Sequence, residues 1–144
     1  MNKKQVIQSL LKVLTKTNDN LSCLHAEMER QLEGILKFDA DKLTAAVSAQ
    51  QSLIDQAHSS SVELNKLMGN LGLRWNSADA VKLTDKLPQP WRDQFEELFT
   101  QYVEHLTNNS ALLEKIAQAT ANQYDIIQPL MSKEQLYDPL RLMR

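Results

Sequence analysis

At 144 residues, with 42% apolar and 24% charged side chains, the chain has the size and composition of one globular domain and not of a disordered segment. Its net charge of −2, with lysines and arginines scattered, leaves no basic stripe for nucleic acid, and the lone Cys23 excludes an intramolecular disulfide. Three glycines and four prolines are too few for the turns of a sheet protein, so the chain reads as all-α with long elements.

The opening stretch carries Lys3 and Lys4, but Gln8, Ser9, Lys12 and Thr15 interrupt its apolar positions, so it lacks the continuous apolar core of a signal peptide. No run of 18 apolar residues occurs. A cytoplasmic protein without membrane insertion is the expectation.

The first predicted helix runs from about Asn2 to Leu36. Ile7, Leu14, Leu21, Met28 and Ile35 recur every seven residues, with Leu10, Leu11, Leu24 and Leu32 between them, which is a sustained heptad seam. Gly34 weakens its end, and Asp39 or Asp41 is a suitable N-cap for the next helix. That second helix, from about Ala40 to Asn70, has Leu43, Val47, Ile54, Ala57, Leu64, Met68 and Leu71 as its apolar stripe. Ser59, Ser60 and Ser61 predict a weak spot, because serines compete for backbone hydrogen bonds. Gly69 and Gly72 end the helix.

A connection from Leu73 to Gln89 holds one short helix capped by Ser77, and Leu87-Pro88-Gln89-Pro90 stops it. The last long helix is predicted from about Pro90 to Gln128, with Phe95, Phe99, Tyr102, Leu106, Leu113, Ile116 and Ile127 as its stripe. Asn109, Thr120 and Gln123 read as interruptions, so its C-terminal half is the more polar one. Pro129 is expected to end it. Three long helices with short connections run up, down and up. The architecture expected is an elongated antiparallel bundle of three long helices plus one short connecting helix. Residues 1–129 form the bundle and 130–144 a mobile C-terminal tail.

The residues that bear chemistry give no catalytic constellation. His25 and Glu29 have one metal-ligand spacing but no further His or Cys joins them, so a surface ion pair is the reading. Neither they nor His58 and His105 carry a phosphotransfer motif. Cys23 has no basic neighbour to activate it, and the glycines are too scattered for a phosphate loop. No enzyme, metal or cofactor is expected. Trp75 and Trp91 read as a plug at the end of the bundle, with a binding surface as the other reading. Leu136, Tyr137, Leu140, Leu142 and Met143 either fold back on the bundle or await a partner.

Several of these features, in this order, resemble the FlgN-like flagellar export chaperones: the long leucine-bearing first helix, the second helix closing on Leu71-Gly72-Leu73, the pair Asn108-Asn109 before Leu112-Leu113, and the tail from Gln128-Pro129 to Leu136-Tyr137. The chain departs from the family at Ser110, where a glycine is common, and at Asp138-Pro139-Leu140, where a glycine usually follows the tyrosine. The resemblance implies a cytoplasmic chaperone that holds flagellar hook-associated (hook–filament junction) proteins and delivers them to the type III export gate or its ATPase components. It implies cargo binding through the last helix and tail, so the partner surface falls on Leu112, Leu113, Ile116, Ile126, Ile127, Leu130, Leu136, Tyr137 and Leu140, with Tyr137 matched to gate docking. A homodimer is compatible with this reading. The competing class is a structural coiled-coil adaptor or self-assembling bundle, which the heptads of the first helix suit equally.

Overall fold

A computed structural model describes residues 2–136, with side chains from Asn2 to Gln128. The described residues form four helices: α1 (Lys3–Leu36), α2 (Ala40–Asn70), α3 (Ser77–Lys86) and α4 (Trp91–Leu136). Each early boundary has a local cause. Asn2 and Gln5 form a reciprocal capping box at the start of α1, and the Asp39 side chain accepts from the Lys42 N–H at the start of α2. α2 ends in a Schellman motif: Gly72, at φ +74°, donates to Gly69, and Leu73 donates to Met68. α1 ends in the same motif, but the left-handed position is filled by Phe38, at φ +53°, and its side chain is exposed.

Three local expectations are corrected. Asn76, not Ser77, caps α3, its side chain accepting from the Asp79 N–H at 2.8 Å. α2 is one unbroken helix through the three serines, and Ser60 lies buried within it. α4 does not stop at Gln128 but continues through Pro129 to Leu136. Proline removes one N–H and so one helical bond to residue i−4. The helix formers after it, Leu130, Met131, Lys133, Glu134, Gln135 and Leu136, offset that loss with their own propensity.

α1 lies at the centre of the bundle. α2 runs antiparallel to it and α4 parallel to it; both pack along α1, yet they make no extensive contact with each other. At the lower end, where α1 begins, the core is deeply buried: Leu10, Leu14, Leu64, Met68 and Phe95 are inaccessible. α3 packs on α4 there, and the connection before it places Trp75 against Phe99 and Tyr102, at ring-centroid distances of 5.5 and 5.3 Å. Both tryptophans pack against this lower core. A second core at the upper end joins Met28 and Ile35 of α1 to Leu112, Ile116 and Ala119 of α4. Between the two cores lies a polar waist of Thr17, Asn18, Asn20, Ser60 and Asn109, all buried.

The stripes expected on α2 and α4 hold in part: Leu64 and Met68 on α2 and Phe95, Tyr102 and Ile116 on α4 pack in the core, but Val47, Ile54, Leu106 and Leu113 lie one residue off the inward line. On α2 the side chains facing α1 include Ala46, Gln50, Ser60, Leu64 and Leu67, while Val47 and Ile54 are about half exposed. On α4 the facing line is Phe95, Tyr102, Asn109, Ile116 and Gln123 with Leu98, His105, Leu112 and Ala119 between them; Leu106 and Leu113 lie outside it. Asn109 and Gln123 are therefore members of the seam and not interruptions of it. Gly34 of α1 permits a close approach of α2 at the α1–α2 corner, where a Cβ built on it would sit 2.9 Å from Leu43 N and 3.1 Å from its Cα.

Gly34→Ala should destabilise the fold by about 1–3 kcal/mol in urea unfolding, since the backbone clash outweighs the better helix propensity. A neutral or stabilising result would show that the corner has slack. Glu33 binds the Lys37 and Lys42 ammonium groups at 2.6 and 2.7 Å, tying α1 to α2, and these hydrogen bonds, Lys37 first, lower its pKa from 4.5 to about 2. A lowered carboxylate pKa contributes stability above its unfolded value, and that contribution fades as pH falls. The melting difference between wild type and Glu33→Gln should accordingly persist from neutral pH to about 4.5 and close by about pH 2.

Candidate partner-binding surface

The upper half of α4 is held to α1 by the second apolar core and by polar side chains reaching backbone carbonyls. Asn109 Nδ2 donates to the Leu21 carbonyl at 3.3 Å, which turns Asn109 Oδ1 toward His25 Nδ1 at 2.8 Å. The other ring nitrogen of His25 lies 2.8 Å from Glu29 Oε1. His25 is thus a half-buried link between α1 and α4, and not only the surface ion pair expected of it. Higher up, the Gln123 amide donates to the Ile35 carbonyl, and lower down Asn18 Nδ2 donates to the Leu98 carbonyl at 3.0 Å. On the other side of α1, Gln50 Nε2 donates to Gln31 Oε1 at 2.8 Å and to the Glu27 carbonyl at 3.3 Å.

These contacts define two faces on α1. α2 meets it at Glu27, Gln31 and Gly34, and α4 meets it one residue further along each turn, at Met28, Leu32 and Ile35. One residue is about 100° of helix. A closed three-helix bundle needs about 60° between neighbours, so α2 and α4 stand apart and the half-buried Leu24 lies at the floor of the gap.

The residues expected to bind partners divide into three groups. Leu112 and Ile116 are 7% and 6% exposed and hold α4 on α1, so a partner could touch them only if α4 left α1. Leu113, Ile126 and Ile127 are exposed, at 55%, 58% and 39%. The side chains of Leu130 and Leu136, and all of Tyr137 and Leu140, lie outside the described residues. Two exposed apolar regions emerge, of which the sequence reading named only Ile126 in the first and Leu113 in the second. At the upper tip, Leu32, Leu36 and Phe38 meet Ala119, Gln123 and Ile126 around a cleft of about 390 Å³. Along the gap, Val47 and Ile54 of α2 and Leu106 and Leu113 of α4 are 48%, 47%, 42% and 55% exposed. An exposed apolar line at heptad spacing, one position off the buried line, was the signal that could have found the second region.

Among the described residues no cluster of three or more His, Cys, Asp or Glu side chains could hold a metal ion, and no helix is long and apolar enough to cross a membrane. Compared with protein-family models, curated proteins and solved structures, the chain matches none.

The neighbours Leu112 and Leu113 should respond oppositely to truncation. Leu112→Ala is expected to cost about 2–4 kcal/mol by cavity formation and Leu113→Ala less than about 0.5 kcal/mol. Asn109→Ala, which removes the bonds to the Leu21 carbonyl and to His25, should cost about 1–3 kcal/mol. Chemical denaturation of the three variants checks all of these, and equal losses at 112 and 113 would place both in the core.

Proposed function

We propose that this chain is a non-enzymatic chaperone of the FlgN-like kind, which binds hook–filament junction proteins in the cytoplasm, prevents their premature assembly and delivers them to the flagellar type III export gate. The observation that carries the reading is α4: a 46-residue helix that uses one face to hold α1 and keeps a second apolar line, with Leu106, Leu113 and Ile127, about half exposed among the described residues. An uncovered apolar line on a rigid helix suits capture of a client helix through anchors at i, i+3, i+4 and i+7. The order of motifs from the first helix to Leu136-Tyr137 supplies the flagellar assignment. The rival reading, a coiled-coil adaptor, loses its main support, because the heptads of α1 that such an adaptor would expose are buried against α2 and α4.

Calorimetry of the full chain with purified junction proteins should give a one-to-one complex. Deleting residues 130–144 should leave the melting temperature nearly unchanged and weaken at least one partner contact, and Tyr137→Ala should impair gate docking more than cargo capture. Failure to bind any junction protein, with a defined homo-oligomer in its place, would move the protein to the adaptor class.

A further inference from the structure

The gap between α2 and α4 has the form of a four-helix bundle with one helix missing along most of its length. On α2, Val47 and Ile54 each follow an α1-facing residue, Ala46 and Leu53, by one position. On α4, Leu106 and Leu113 follow the facing residues His105 and Leu112 in the same way. α2 runs antiparallel to α1 and α4 parallel to it, so right-handed helices turn both lines into the same gap, over Leu24.

Continued downward at heptad spacing, the α4 line reaches Phe99 and the α2 line, past the half-buried Ser61, reaches Met68. Both of these are covered: Trp75 packs on Phe99, and Met68 is inaccessible within the lower core. The chain's own connection and α3 thus fill the missing position at the lower end, and nothing among the described residues fills it above.

We infer that this upper groove seats one amphipathic helix of a partner protein, which completes a four-helix bundle. From Leu106 to Gln123, which is level with Ile35 near the top of α1, the groove spans about 26 Å, the length of roughly 17 helical residues. The partner helix is apolar at 3–4 spacing on the face it buries and uncharged there, because Val47, Ile54, Leu106 and Leu113, with Gln51, Ser110 and Thr120 beside them, bear no formal charge. α3 and the connection before it close the lower end, so the seat is shorter than the 46-residue α4 of a second copy. The inference deepens the export-chaperone reading by naming a seat and a partner chemistry, and rests on that reading only for the partner's identity.

The test uses the full chain and a labelled synthetic 21-residue peptide with leucines at the a and d positions of three heptads, beside a peptide of the same composition scrambled to break that spacing. Fluorescence anisotropy should show binding of the first and not of the second. Ile54→Asp and Leu113→Asp should each weaken it about tenfold or more. Leu36→Asp at the tip should change nothing, and raising the salt should shift affinity less than about twofold. Circular dichroism controls for folding, with Leu113→Gln as a milder variant. Loss of binding through Leu36→Asp alone, or equal binding of the scrambled peptide, overturns the groove. So does a dimer, seen by sedimentation without peptide, that Leu113→Asp dissolves. Repeating the series with a junction protein separates the two ideas. Normal capture by the groove variants sinks the groove and spares the export reading; a seated peptide without junction-protein binding does the reverse.

Discussion

Everything distinctive about this fold depends on α1 offering two contact faces one residue apart. An angle of about 100° between them is close to that of a square and far from that of a triangle. α2 and α4 can each satisfy α1 fully only by standing away from each other. The small side chains on the α1–α2 side reinforce the geometry: with Gly34 against the Leu43 backbone, α2 is drawn close to α1 and cannot swing toward α4 without losing that contact. The open gap is therefore a consequence of good packing elsewhere and not of a poor core.

The two ends of the bundle are held differently. Below, large apolar side chains from all the helices share one core, and apolar area is the dominant stabilising term in folding. Above, α4 is fixed to α1 by a short apolar cluster and by amides that reach carbonyls, each net about 0.5–1.5 kcal/mol. Such bonds fix register more than they add stability, since a slip by one residue would bury Asn109 and Gln123 without acceptors. Stability thus concentrates at the end closed by α3, while the upper half of α4 depends on fewer and more local contacts.

Most of the secondary structure was legible in the sequence. Sparse Gly and Pro, the heptads of α1, Asp39 and Gly72 placed the helices within a residue or two, because caps and breakers act locally. Which face of α2 and α4 turned inward was legible only in part: Leu64, Met68, Phe95, Tyr102 and Ile116 were read correctly, and others on the same stripes were not. The rule that large apolar residues lie inside chose Val47, Ile54, Leu106 and Leu113, whereas the inward positions belong to Ala46, Gln50, Asn109 and Gln123. Period alone could not decide, since both lines have the same heptad spacing and differ by one position. Close approach at Gly34 and amide-to-carbonyl bonding decided it, and both are tertiary facts. Pro129 misled for the opposite reason: a local breaker was overruled by the helix formers that follow it.

That displacement has a functional meaning. A chain that kept its larger apolar residues for the core would have put Val47, Ile54, Leu106 and Leu113 against α1 and left the polar line in solvent. Here the polar line is inside, satisfied by hydrogen bonds, and the apolar line is left half exposed, the unusual arrangement on which the proposed interaction surface rests. On that proposal, an uncharged groove gains affinity mainly from apolar area, at about 25 cal/mol per Å², against association costs of several kcal/mol. One helix so seated would be held with moderate affinity and no salt-bridge lock, and would leave when a competing site offered it a similar surface. The same helix would cover the flank of α4 that the described residues leave half exposed and so steady the less stable end of the bundle. Binding and local stability would then be linked, and release would loosen the very segment that has to let go.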